Sequence, residues 1–142
     1  MTCQLCLQSV MPIYADDKLA VILVDDAAYP GFCRVIWNEH VKEMSDLAPA
    51  DRMKLNDAVW HVELALRDIM APGKINVASL GNMVPHLHWH VIPRFADDSH
   101  FPQPVWAPRQ RPAPGDAIEE RRSRLDPLRR RIAEEVSRVP RS

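Results

Sequence analysis

Apolar residues recur along the chain with a period that changes from one segment to the next. Residues 18–25, KLAVILVD, and 32–37, FCRVIW, are short runs rich in Val and Ile, bounded by Asp25-Asp26 and by Pro30-Gly31. Runs of this kind between turn formers predict two strands joined by a tight loop. From Pro49 the spacing lengthens: Leu55, Val59, Val62, Leu66 and Ile69 step by four, three, four and three until Pro72-Gly73 intervenes. That is one face of an amphipathic helix of about twenty residues. Residues 74–80, KINVASL, and 86–92, HLHWHVI, read as two more strands, connected through Leu80 to Pro85. Beyond Arg94, Pro102, Pro104, Pro108, Pro112 and Pro114 forbid regular structure. Residues 116–138 then resume a helical spacing through Leu125, Leu128, Ile132 and Val136, with a break or restart expected at Pro127. Strands, a long helix and strands again, with short connections, predict an α+β domain on an antiparallel sheet over residues 1–106. A Pro- and Arg-rich extension with a helix is expected over 107–142.

Composition narrows the class. A chain of 142 residues with 46% hydrophobic letters supports one soluble domain with its own core, neither disordered nor collagen-like. No apolar run nears the roughly 18 to 20 residues that cross a bilayer. The start, MTCQLCLQSV, lacks a basic segment followed by a hydrophobic one, so no secretory signal is expected. Three cysteines, an odd number in a chain that needs no staples, argue for a reducing compartment, and the cytoplasm is the expected location. The net charge of -1 conceals an asymmetry: residues 1–106 carry 8 basic and 13 acidic groups, and residues 107–142 carry 10 and 6. The arginines of the tail alternate with Glu119, Glu120, Asp126, Glu134 and Glu135, the pattern of a solvated helix face rather than of a nucleic-acid arm.

The chemistry concentrates at His86, His88 and His90, which alternate with Leu87, Trp89 and Val91. A period of two puts the three imidazoles on one strand face, about 7 Å apart in sequence order. Rings so placed repel when protonated and gain nothing over Thr or Lys as mere surface, so the row reads as a site. Two chemistries fit. Imidazole ligates transition metals, and neutral imidazole also attacks phosphorus, giving a labile P–N bond suited to two-step transfer.

His86-Leu87-His88-Trp89-His90-Val91-Ile92 matches the alternating signature of the histidine triad (HIT) family, and the chain resembles that family over roughly residues 3–95. The resemblance extends to Val84-Pro85, Pro93-Arg94, Asn76, Gly81, the Pro30-Gly31 turn, the strand ending in Glu39-His40 and the long helix. Lys74 to Arg94 is similar to a bacterial branch with a short loop before the triad. The resemblance implies a homodimeric α+β fold with five antiparallel strands per subunit and a nucleotide cleft. The activity implied is hydrolysis or transfer at the α-phosphate of a nucleoside 5′-monophosphate derivative of phosphoramidate type. His88 corresponds to the nucleophile that forms a nucleotidyl-histidine, His90 to the ring on the α-phosphate oxygens, and His86 to the ring supporting the nucleophile. Asn82, Asn76 and Asp25 correspond to substrate contacts, with Asp25 on the ribose hydroxyls. Alternatives from the same resemblance are hydrolysis of a dinucleoside polyphosphate such as diadenosine tetraphosphate, and a low-turnover nucleotide-binding regulatory module. A nucleic-acid-end processor using the basic tail is a third reading, separable by its salt dependence. Two departures bear on rate: Phe32 stands where many relatives carry a further histidine, and Met83 where some carry a small hydroxyl residue.

Cys3-x-x-Cys6 is half a zinc site and needs two more ligands. In HIT proteins that keep this pair, the others correspond to His40 and His86, so the resemblance implies a closed structural Cys2His2 zinc, with no cofactor required for catalysis. Cys33 reads as a buried thiol, Trp37 and Trp89 as core, and His61 and His100 as residues at the solvent edge. Trp106, in a proline-fixed run, is expected to seal the sheet or the dimer seam rather than to recognise a base.

Overall fold

The computed structural model describes residues 3–6 and 10–140. Five strands, β1 (Tyr14–Ala15), β2 (Leu19–Leu23), β3 (Cys33–Trp37), β4 (Lys74–Ala78) and β5 (His88–Arg94), form one antiparallel sheet in the order β1-β2-β3-β5-β4. Helix α1 (Pro49–Met70) joins β3 to β4, and α2 (Gly115–Arg122) and α3 (Leu125–Val136) follow the sheet. This is the expected α+β architecture. No helix among the described residues is long and apolar enough to cross a membrane.

Helix α1 starts on Pro49, whose fixed φ suits a first helical position, and stops at Ala71, which adopts left-handed angles ahead of Pro72. Its stripe of Leu55, Ala58, Val59, Val62, Ala65, Leu66 and Met70 packs on the sheet face formed by Leu19, Val21, Cys33, Val35, Ile75 and Val91. Leu128, Ile132 and Val136 of α3 complete the same core from the far side of α1. Trp37 is fully buried there, Trp89 is packed at its margin, and Cys33 is a buried thiol. Gly31, at φ 94°, makes the β2–β3 turn; a Cβ there would stand 3.2 Å from both Met70 Cε and Pro93 Cγ.

β2, β3 and β4 are shorter than their apolar runs, β5 is shifted two residues along its own, and a fifth strand, the two-residue β1, precedes the first run. The triad segment pairs regularly only from His88. At its entry, the Leu87 N–H donates to the Val41 carbonyl and the Leu87 carbonyl accepts from the Trp37 N–H, so this stretch is held by the chain after β3. The expected final helix is two helices that part at Ser123-Arg124 rather than at Pro127. Pro127 lies in the first turn of α3, where its missing N–H breaks no helical bond.

The Pro-rich run wraps instead of dangling. Arg94 Nε and Nη2 donate to Asp98 at 2.8 and 3.0 Å, and Nη2 also reaches the Gln103 carbonyl at 2.7 Å. Arg111 Nη1 donates to the carbonyls of Asp98 and Phe101 at 2.7 Å each. These bonds fold residues 95–111 back over the sheet face opposite α1.

Candidate functional site

Antiparallel pairing places partners on one face of the sheet. His88 and His90 therefore share the face opposite α1 with Arg34, which pairs with His90, and with Ile36, which pairs with His88. His88 and His90 stand edge to face, with ring centroids 4.9 Å apart. His86 lies before the regular strand and is turned away from this row. Its Nε2 is 2.5 Å from the Trp37 carbonyl oxygen, and its Nδ1 faces Cys3, Cys6 and His40. The expectation of three rings on one face thus holds for two, because pairing with the segment after β3 redirects the first.

The tautomers follow from the acceptors. His88 Nδ1 lies 2.6 Å from the His86 carbonyl oxygen. A carbonyl only accepts, so the proton sits on Nδ1 and the lone pair on Nε2. Burial pushes the His88 pKa below its ordinary value; the hydrogen bond to the His86 carbonyl opposes this, and the charges of Arg34 and His86 add to the fall. Burial, then His88 and Arg34, push His90 down to about 4. Both rings are neutral at pH 7, the state in which imidazole is nucleophilic.

His88, His90, Arg34, Asn82, Met83, Val84 and Trp106 line a cavity of about 290 Å³. Arg34 and Trp106 also line an adjoining cavity of about 390 Å³ with Asp26, Tyr29, Phe32, His100 and Arg109. Trp106 is half exposed and crosses His90 at 68°, with centroids 5.1 Å apart. It therefore stands at the site, where the expectation had it sealing the sheet or a seam. Phe32 packs edge-on to His90 at 5.8 Å.

Asn82 is the expected substrate contact that shares a cavity with His88 and His90. Asn76 is on the same sheet face but its Oδ1 accepts from Arg94 Nη1 at 2.7 Å, outside that cavity. Ser79 Oγ donates to the His88 carbonyl at 2.8 Å. Asp25 points elsewhere: it lines a cavity with Arg122, Leu125 and Arg129. Its neighbour Asp26, one step out of phase, is the acid lining the aromatic cavity. His61 Nδ1 pairs with Glu135 at 2.9 Å and ties α1 to α3, while the His100 ring meets the Tyr29 hydroxyl. Arg34, Asp26 and Tyr29 were not singled out from sequence.

Cys3, Cys6, His40 and His86 form a second cluster whose four donor atoms lie within 4.8 Å of one another. Cys3 Sγ and Cys6 Sγ are each 3.4 Å from His86 Nδ1, Cys6 Sγ is 3.4 Å from His40 Nδ1, and the two Nδ1 atoms are 3.2 Å apart. A tetrahedron with Zn–S of about 2.3 Å and Zn–N of about 2.0–2.1 Å has S···N edges of about 3.5 Å and N···N edges of about 3.3 Å. Four of the six donor pairs thus match the edges of a tetrahedral Cys2His2 zinc. The hydrogen bond from His86 Nε2 to the Trp37 carbonyl leaves the Nδ1 lone pair for the cluster, as a ligating histidine requires.

The HIT domain family model matches residues 9–97. A histidine triad protein from Bradyrhizobium japonicum is 31% identical, with a TM-score of 0.69 over 86% of this chain and 90% of that one. A histidine triad protein from Marinobacter aquaeolei is 24% identical, with a TM-score of 0.70 over 94% and 98%. A zinc-bound histidine triad family protein from Mycobacterium smegmatis is 22% identical, with a TM-score of 0.59 over 90% and 96%. A search of curated proteins finds no match.

Proposed function

From the premise that the chain belongs to the histidine triad family, we propose that it binds a nucleotide beside His88 and His90 and transfers its nucleotidyl group through His88. The substrate class is a nucleoside 5′-monophosphate joined through its α-phosphorus to an amine-type leaving group. One observation carries the reading: the His86 carbonyl fixes the proton on His88 Nδ1, so the lone pair is on Nε2 of a ring that lines the cavity. Nε2 attacks the α-phosphorus, the bond from phosphorus to the leaving group breaks, and the leaving nitrogen takes a proton from solvent. Water then attacks the same phosphorus and gives a proton back to solvent, the P–N bond breaks, and His88 returns to its neutral form. His90 and the Asn82 amide orient the phosphoryl oxygens, and the aromatic cavity takes the nucleoside, with Asp26 rather than Asp25 within reach of the ribose diol.

The reading of a slowly turning-over nucleotide-binding module draws support from Phe32, an apolar ring against His90 where a proton relay needs a titratable group. Incubation with adenosine and guanosine phosphoramidates and dinucleoside polyphosphates separates these readings. Monophosphate release lost in His88→Ala supports the enzyme, and preference for the polyphosphates reassigns its leaving group. Binding of AMP without release from any substrate supports the module.

Cys3, Cys6, His40 and His86 hold a structural zinc in this reading, consistent with a relative described as zinc-bound. Bound there, the metal would tie the N-terminal segment to the segments around His40 and His86. His86 in turn keeps its carbonyl on His88 Nδ1. Metal analysis of protein prepared without chelator should find one zinc per chain, lost in the Cys3→Ala, Cys6→Ala variant; no metal in the unmodified protein contradicts the assignment. Homodimerisation is proposed through the edge strand β4 and α1, where Val77 and Trp60 are exposed.

A further inference from the structure

Two arginines on the sheet face opposite α1 are treated in opposite ways. Arg94 is saturated: it donates to Asp98, Asn76 and the Gln103 carbonyl. Arg34 is one strand away and paired with His90, but its side chain has no hydrogen bond or ion pair with any described residue, and its Nε is buried with no acceptor. A partly desolvated guanidinium with no counter-charge opposes folding, so its retention calls for an anion that arrives from outside. Its place fits that role. It lines both the cavity of His88 and His90 and the aromatic cavity, at the junction between them. Among the described residues it is the only Lys or Arg lining the first. Asp26, the one carboxylate lining either cavity, accepts from the Ala28 N–H and forms no ion pair with Arg34.

We infer that Arg34 is the anion-recognising residue of this site: its guanidinium takes the non-bridging oxygens of the phosphoryl group held beside His88 and His90, so the pocket selects nucleotides over nucleosides. A planar fork of N–H donors suits two phosphoryl oxygens, and its charge does not depend on pH in the range where the protein works. The inference rests on the nucleotide reading above and adds to it a specificity-determining group that the triad does not contain.

The test compares binding of AMP, adenosine and inorganic pyrophosphate by calorimetry to the unmodified protein, Arg34→Leu and Arg34→Lys, alongside the melting temperature of each without ligand. Arg34→Leu should weaken AMP by about 10- to 100-fold, the value of a charge-assisted contact, while adenosine binds as before. Arg34→Lys should restore part of the loss. The unliganded Arg34→Leu protein should melt no lower than the parent, because the change removes an unpaired cation. Equal losses for AMP and adenosine with a lowered melting temperature would mean a structural role and overturn the inference. So would AMP affinity that is indifferent to the change, or a parent protein that binds neither AMP nor pyrophosphate. Arg34-dependent pyrophosphate binding without AMP binding would sustain Arg34 as the anion site and defeat the nucleotide reading alone.

Discussion

Asp98→Asn tests whether the Pro-rich run is held over the site by one buried charge pair. Asp98 and Arg94 are each 2% exposed, with the guanidinium on both carboxylate oxygens. The N–H groups of Phe95, His100 and Phe101 and the Tyr29 hydroxyl donate to the same carboxylate. Burial alone would raise this carboxyl; Arg94 and the three N–H groups outweigh it and hold the pKa well below the ordinary range. Asn keeps the shape, removes the charge and sets an NH2 group against a buried guanidinium. Breaking a buried pair by one partner costs about 3–5 kcal/mol. For a chain of this length that corresponds to a fall in Tm of about 10–20 °C, read by calorimetry and by urea titration at pH 7. Replacing both partners, Arg94→Met with Asp98→Leu, should cost less than Asp98→Asn, since no charge is left unpaired. A loss under about 1 kcal/mol for Asp98→Asn would refute the assignment of this pair as the anchor of residues 95–111.

Ile132→Ala empties a fully buried position between α3 and α1 and should cost about 2–5 kcal/mol by denaturant titration; a loss near zero would mean α3 is not part of the core. Asp16 gives a pH signature. Burial would raise its carboxyl, but Lys54, at 2.9 Å, with the Leu19 and Lys18 N–H groups and the Tyr14 hydroxyl, lowers it to about 2 from 3.8. A depressed acid stabilises above its unfolded value, so on the order of 2 kcal/mol should be present above about pH 4 and be lost as pH falls through 2, a loss absent in Asp16→Asn. His90, a base depressed to about 4 from 6.5, contributes in the same direction in a different window. The unfolded chain binds its proton first, so this share is complete above 6.5 and is lost down to about 4. NMR titration should find the His90 ring neutral at pH 5.5, and a charged ring there would contradict its burial.

What was legible in the sequence was what short-range periodicity records. The four- and three-residue steps of Leu55, Val59, Val62 and Leu66 make the buried stripe of α1, and the alternation of His88 and His90 puts both rings on one face. The rest depended on pairing between distant segments. Arg34 sits inside FCRVIW, a run that registers as apolar, and only the β3–β5 register sets it opposite His90. The one clue was a charged residue at alternate spacing from Phe32 and Ile36. Asp25 and Asp26 differ by one residue, yet only Asp26 lines the aromatic cavity, and nothing in the sequence ranks one acid above the other. Trp106 reaches His90 through bonds from Arg94 and Arg111 to Asp98 and to backbone carbonyls, none of which has a period. The cluster of Cys3, Cys6, His40 and His86 joins residues from three separate segments, and the CxxC spacing marked only half of it.

The proposed reaction depends on attack of His88 Nε2 on phosphorus. Intact mass after rapid quench with a panel of nucleoside phosphoramidates and dinucleoside polyphosphates addresses it directly, on the unmodified protein and on His88→Ala. The expected result is a gain of one nucleoside monophosphoryl group that requires His88 and decays as free monophosphate appears. Nucleotide binding with no adduct and no product from any compound of the panel would contradict it.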